Sequence, residues 1–139
     1  MREIKFKAWY KREQQMCDVR EISFVGQTVT ISWADVGYDE DGVDFPIDER
    51  VLDFADCELL RYPGLRDRTG TKIYEGDICN VLENDGLWYL REVYYDTELA
   101  EFGYRYSFAL LHAQFAHERE VVGNRYETPD LLQTEIAEV

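Results

Sequence analysis

Hydrophobic and polar positions alternate with a period of two along much of this chain, the pattern of half-buried strands. Ile4, Phe6 and Ala8 interleave with Lys5 and Lys7. After a polar turn at Lys11-Arg12-Glu13-Gln14-Gln15, a second strand is expected in Gln15–Asp18 or Glu21–Val25. Gly26-Gln27 marks a hairpin turn before Thr28–Trp33, where Val29, Ile31 and Trp33 share a face. Leu59–Tyr62 reads as a strand leading into a turn-rich stretch. In it, Asp67-Arg68-Thr69-Gly70 has β-turn chemistry. Lys72–Glu75 and Asp77–Leu82 are strand-like on either side of Gly76, which suggests a bulge or bend. Asn84-Asp85-Gly86 is a strong turn signal before a strand over Leu87–Tyr95. Phe102, Tyr104, Tyr106 and Phe108 fall on one face of a further strand. Ala109–Glu120 fits either a helical stripe or a strand with a loop, and Glu120–Gly123 returns to strand. Pro129 is placed to start a helix over Asp130-Leu131-Leu132, with Thr128 as N-cap.

Many short strands, glycine-centred turns and few helical stripes predict a mainly β fold, with a β-rich α+β arrangement also allowed. The expected architecture is one domain over 1–139. Residues 1–34 supply N-terminal strands, 35–58 an acidic loop segment, 59–132 a small SH3-like barrel ending in a short helix, and 133–139 a tail. Bent strand, tight turn, long hairpin and closing strand near Val121 follow one another in the order such a barrel needs.

The 139 residues are 45% hydrophobic and 14% aromatic, ample for a core. No apolar run approaches the ~18–20 residues of a membrane span. The opening Met1-Arg2-Glu3-Ile4-Lys5-Phe6-Lys7 lacks the apolar region of a signal peptide, so a cytoplasmic location is expected. A formal charge of −14 opposes non-specific binding to nucleic acid or to anionic lipid. The charge is concentrated. Between Asp35 and Glu58 ten acids stand against Arg50, a formal charge of −9. Within that stretch Asp39, Glu40, Asp41, Asp44, Asp48 and Glu49 form the candidate partner surface.

Candidate chemistries change the picture little. Setting Gly42 at position 6 of a calcium loop leaves Gly37 at position 1 and Asp48 at position 12, where Asp and Glu belong. Cys17, Cys57 and Cys79 are odd in number and far apart. Together with His112 and His117 they offer no zinc spacing and read as buried free thiols. Gly64 and Gly70 have five residues between them, and Thr71-Lys72-Ile73 follows, which fails the phosphate-loop pattern. Glu75 and Asp77 could act as a carboxylate pair, but Gly76 between them favours a structural bend. The aromatic face with Arg105 could stack bases, but alternating aromatics are more often core. No catalytic residue, cofactor or metal site is assigned.

Two separated motifs are the most distinctive part of the sequence. The first runs from Gly64 through Asp67, Gly70, Tyr74, Gly76 and Asp77 to Ile78. The second is Gly123-Asn124-Arg125-Tyr126-Glu127-Thr128-Pro129-Asp130-Leu131-Leu132. With the opening Met1–Trp9, they resemble the YopX-type family of uncharacterised phage and prophage proteins. Pro63 and Cys79 depart from the family pattern. The resemblance implies a phage or prophage origin, a bacterial cytoplasm and homo-oligomerisation, and it implies no catalytic residues. Physically the motif residues read as fold determinants: glycines for turns, Tyr74 and Tyr126 for packing, Pro129 for a cap. The leading expectation is therefore a non-enzymatic protein–protein interaction or assembly module, acting on itself or on a basic host protein. A second reading is a nucleic-acid-binding small barrel using Tyr104, Arg105 and Tyr106, and a third is an enzyme of unknown class.

Overall fold

The computed structural model describes residues 3–32, 37–38, 41, 44–45, 49–107, 109 and 111–132. Among the described residues eleven strands occur in chain order: β1 (Phe6–Tyr10), β2 (Gln15–Ser23), β3 (Thr28–Ser32), β4 (Gly37–Tyr38), β5 (Asp44–Phe45), β6 (Glu49–Asp53), β7 (Cys57–Arg61), β8 (Asp77–Leu82), β9 (Trp88–Asp96), β10 (Glu101–Tyr104) and β11 (Arg119–Asn124). The 3-10 segments Phe54–Asp56 and Ala113–Glu118 accompany them, and residues 130–132 are helical. The protein is mainly β, as its alternating pattern predicts. The chain divides into two compact units, the first Lys5–Leu60 and the second Met1–Ile4 with Arg61–Val139.

In the first unit a five-stranded sheet has the order β6-β3-β2-β1-β7. One strand, β2, runs without a break through Gln15–Ser23, so it takes in all of Gln15–Asp18 and only Glu21–Ser23 of the second alternative, Phe24 and Val25 falling in the turn. A register shift between Val19 and Glu21 accommodates the extra residue against β3, the device of a β-bulge. The hairpin register closes at Ser23 opposite Thr28, around the turn at Gly26 and Gln27. Ala8 and Tyr10, Cys17, Val29 and Ile31, Leu52 and Cys57 come together as the core. Val19, Phe54 and Leu59 pack against them. Ile4 lies before β1 and is 79% exposed, outside the face it was expected to share. Trp33 lies outside the described residues.

In the second unit four strands form an antiparallel sheet with the order β10-β9-β8-β11. The β8–β9 hairpin turns where Asn84-Asp85-Gly86 predicts. Gly86 donates to the Glu83 carbonyl at 3.0 Å, and the Leu87 amide donates to Asp85 Oδ1 at 2.9 Å. Ile73, Cys79, Val81, Val93 and Tyr104 make the core, with Ala109, Leu111 and Val121 against it.

The sheet does not close into the expected barrel, since β10 and β11 are its edges. Two expected strand segments take other conformations. Lys72–Glu75 makes a single bridge, Lys72 with Arg66, and otherwise hydrogen-bonds to loops and to the end of β7, although Ile73 and Tyr74 are buried. Only Phe102 and Tyr104 of the predicted aromatic face lie in β10. Tyr106 has a φ of 57° and is 94% exposed, which ends the alternation, and Phe108 lies outside the described residues.

Candidate functional site

Asp67 is the most densely engaged side chain of the two motifs. It is 4% exposed. Its Oδ1 accepts hydrogen bonds from the Thr69 amide at 2.9 Å, the Thr69 hydroxyl at 2.7 Å and the Thr71 amide at 2.9 Å. Its Oδ2 accepts from the Val121 amide of β11 at 2.8 Å. Burial alone would raise its pKa. The Val121 amide, the Thr69 hydroxyl and the Thr71 and Thr69 amides outweigh burial and hold the carboxyl below its usual range. The turn chemistry read in Asp67–Gly70 is present, and it also ties the loop to a strand 54 residues away.

The two motifs meet. Gly76 has a φ of 84°, and a Cβ there would lie 3.0 Å from Tyr126 Cε2. Its carbonyl accepts from the Arg125 amide at 2.8 Å. Asp77 is buried and accepts from the Tyr74 amide at 2.8 Å, while Glu75 forms a bidentate pair with Arg61. The two carboxylates therefore serve different partners, and their arrangement is that of a bend. Asn124 Oδ1 accepts from the Tyr126 and Glu127 amides at 3.0 and 2.8 Å, closing an Asx turn. Thr128 does not cap the helical turn with its side chain. Its hydroxyl lies between the Asn124 amide and carbonyl, 3.0 Å from each. A Cβ on Gly123 would collide with that hydroxyl and reach 2.9 Å from Leu131 Cδ1. Each of these motif residues builds the fold.

Arg119 is the residue that sequence reasoning missed. It is 1% exposed, yet it sits in His117-Glu118-Arg119-Glu120, a run that reads as surface. Its Nε and one terminal nitrogen donate to the Arg66 carbonyl at 3.0 and 2.7 Å, and the other donates to the His112 carbonyl at 2.6 Å. A guanidinium suits this task because its rigid fork presents several donors at once. Its i, i+2 spacing to Val121 was the available signal, since alternate residues of a strand share a face.

A cleft of about 400 Å³ lies among Val81, Leu82, Asn84, Tyr104, Phe115 and Glu118. The Tyr104 hydroxyl is buried and has no hydrogen-bond partner among the described residues. Burial, first of all, pushes its pKa up, so the phenol stays neutral. All three cysteines are buried, and desolvation pushes Cys17 up to about 11 and Cys57 and Cys79 upward as well. Among the described residues no three His, Cys, Asp or Glu side chains are grouped to hold a metal ion. No helix among them is long and apolar enough to cross a membrane.

Arginines of the second unit are matched by rings and carboxylates. Arg61 lies over Tyr95 and pairs with Glu75. Arg91 lies over Tyr89 and pairs with Glu83. Arg105 over Tyr94 and Arg125 over Tyr126 share Glu92, at 3.0 and 3.6 Å. Tyr104, Arg105 and Tyr106 do not assemble into one stacking platform, because Tyr104 is interior and Tyr106 is exposed beyond the end of β10.

The candidate partner surface is only partly placed. Asp39, Glu40 and Asp48 lie outside the described residues, and of Asp44 only the backbone, in β5, is described. Asp41 and Glu49 are exposed. Further along, Asp53, Asp56 and Glu58 are exposed too. β6 turns Leu52 into the core and Glu49, Val51 and Asp53 outward, with Val51 62% exposed. Glu49, Asp53, Asp56 and Glu58 have no ion pair among the described residues. In the second unit, by contrast, Glu3, Glu75, Glu83, Glu92 and Glu120 each pair with a lysine or arginine.

The YopX protein family matches residues 5–133 of the chain. A crystal structure of protein EF1440 from Enterococcus faecalis has the same fold, with a TM-score of 0.68 at 19% identity over 95% of this chain and 99% of that one. Protein yopX from Bacillus subtilis aligns with a TM-score of 0.47 at 17% identity, over 94% of this chain and 98% of that one. No curated protein matches the chain.

Proposed function

The chain belongs to the YopX protein family, and on that premise we propose that it is a non-enzymatic protein–protein interaction or assembly module. It engages a basic partner through the acids between Asp35 and Glu58. The observation that supports this reading is the contrast between the two units. Five glutamates of the second unit, Glu3, Glu75, Glu83, Glu92 and Glu120, sit in ion pairs while exposed Glu98 and Glu101 do not, whereas none of the exposed Glu49, Asp53, Asp56 and Glu58 has an ion pair among the described residues. On β6 the unpaired Glu49 and Asp53 flank an exposed Val51 on one face, a negative surface with an apolar contact, which suits a basic protein. The same reading carries a bacterial cytoplasmic setting, a phage or prophage origin and self-association. A comparison of the native chain with a Glu49→Gln, Asp53→Asn, Asp56→Asn, Glu58→Gln variant tests it in a bacterial lysate. The native chain should retain a basic protein at low salt and release it at about 0.5 M salt, where the screening length falls below ~5 Å. The variant should retain markedly less. Equal retention by the two chains would remove the acidic surface from the account.

A further inference from the structure

A β-strand at a sheet edge leaves every second pair of backbone N–H and C=O groups facing outward, ready to accept another strand. In β11 the outward groups include the Val121 N–H and the Arg119 C=O. Both are satisfied by a loop rather than by a strand. Asp67 Oδ2 accepts from the Val121 amide at 2.8 Å, and the Arg68 amide donates to the Arg119 carbonyl at 3.1 Å. The loop is also fastened from beside the strand. The Arg119 guanidinium takes the Arg66 carbonyl with two N–H groups, and Arg68 pairs with Glu120 at 3.2 Å. Asp67 Oδ1 holds the loop in shape through Thr69 and Thr71. β10, the opposite edge of this sheet, is only four residues long. Ala100 and Tyr106, at φ of 53° and 57°, turn the chain just outside it.

We infer that residues 66–71 are a strap that seals the outer edge of β11, and that this edge, once unsealed, accepts β11 of a second copy of this chain. The second copy follows from the groups involved. The strap satisfies one donor, the Val121 N–H, and one acceptor, the Arg119 C=O, which stand two residues apart on the same edge. Two β11 strands laid antiparallel about Glu120 satisfy these groups mutually: each Val121 N–H meets the other strand's Arg119 C=O. That register sets two Glu120 carboxylates opposite each other, a like-charge pair that weakens the contact at low salt and less so at high salt. The strap therefore keeps apart surfaces that would otherwise match. The sealed edge owes nothing to the acidic surface between Asp35 and Glu58, so either can fail without the other.

Asp67→Asn is the direct test. The amide keeps an oxygen for Thr69 and Thr71 but turns an N–H toward the Val121 N–H, so the strap loses its acceptor at the strand. Amide hydrogen exchange should show the Val121 N–H losing protection by about 10-fold or more. Sedimentation velocity should show the variant dimerising as its concentration rises, more strongly at about 0.5 M salt than at about 0.05 M. Adding Glu120→Gln should strengthen that dimer and remove most of its salt dependence, a response that non-specific aggregation would not give. Far-UV circular dichroism checks that the fold is kept. If Asp67→Asn does not fold, Arg68→Pro withdraws the strap's donor, the Arg68 N–H, from an exposed position and faces the same measurements. A folded variant that forms no such dimer overturns the inference, whether or not Val121 stays protected. So does a native chain that forms the same Glu120-sensitive dimer as the variant.

Discussion

At the scale of single residues, the polar side chains that matter most are those whose environment makes them hard to replace. Asp67 couples one carboxylate to three amides and a hydroxyl, and its pKa lies below the usual range despite burial. In the unfolded chain the carboxyl titrates near ~3.9. Because the folded pKa is lower, the stabilisation is complete above the unfolded pKa and is lost as pH falls through the folded one. Urea unfolding between about pH 3 and 7 should therefore show stability falling below about pH 4. Asp67→Asn should lose part of that slope along with stability at neutral pH; an unchanged acid slope would assign it to other carboxylates. Sequence chemistry at Asp67 was legible as a turn, because Asp-x-Thr-Gly is a local code. Its bond to Val121 was not, because nothing local predicts which distant strand edge will lack an acceptor. Arg119 is the sharper case. Its neighbours Glu118 and Glu120 make it look solvated, and only the placement of the Arg66 and His112 carbonyls makes a buried guanidinium tenable.

At the scale of elements, hairpins with strong turn signals were legible to within two residues. β8–β9 follows from Asn84-Asp85-Gly86 flanked by alternating residues, and β2–β3 from Gly26-Gln27. Segments that alternate but lack a neighbour to pair with were misread. Lys72–Glu75 has a strand's pattern, yet its amides at Ile73 and Glu75 go to the Leu65 and Arg61 carbonyls. Phe102–Phe108 was expected to continue past Tyr104, but the Arg105 amide donates to the Glu92 carbonyl, Tyr106 adopts a positive φ and the ladder stops. Pattern reports which side chains want burial, and it does not report whether a partner strand is in reach. The closing motif illustrates what contact adds. Gly123 lies under Thr128 and Leu131, so a methyl group there must push the Asx turn off β11. Gly123→Ala should cost about 1–3 kcal/mol, the range for overpacking a close contact. Chemical denaturation measures this, and a loss below about 0.5 kcal/mol, the usual surface range, would show that the turn yields without cost.

At the scale of the whole molecule, charge is the dominant property. A formal −14 on 139 residues destabilises the compact state by self-repulsion, while the internal ion pairs are worth about 0–1 kcal/mol each and are partly exposed. Repulsion acts among many unpaired acids, so screening should relieve more than it removes. Raising salt from about 0.02 to 0.5 M should increase the melting temperature by roughly 3–5 °C, corresponding to about 1 kcal/mol for a chain of this length. A fall in melting temperature would mean that the paired carboxylates of the second unit outweigh the unpaired ones of the first. The sequence by itself determined the β class, the main hairpins, the buried thiols and the family, because alternation, turn residues and motif spacing are local properties of the chain. Only the tertiary structure decided that the second sheet stays open, that the two motifs pack against each other, and that Asp67 and Arg119 bind a loop to the edge of β11. Those outcomes depend on which backbone groups are left without partners once the strands have paired, and that is settled by contacts between residues far apart in the chain.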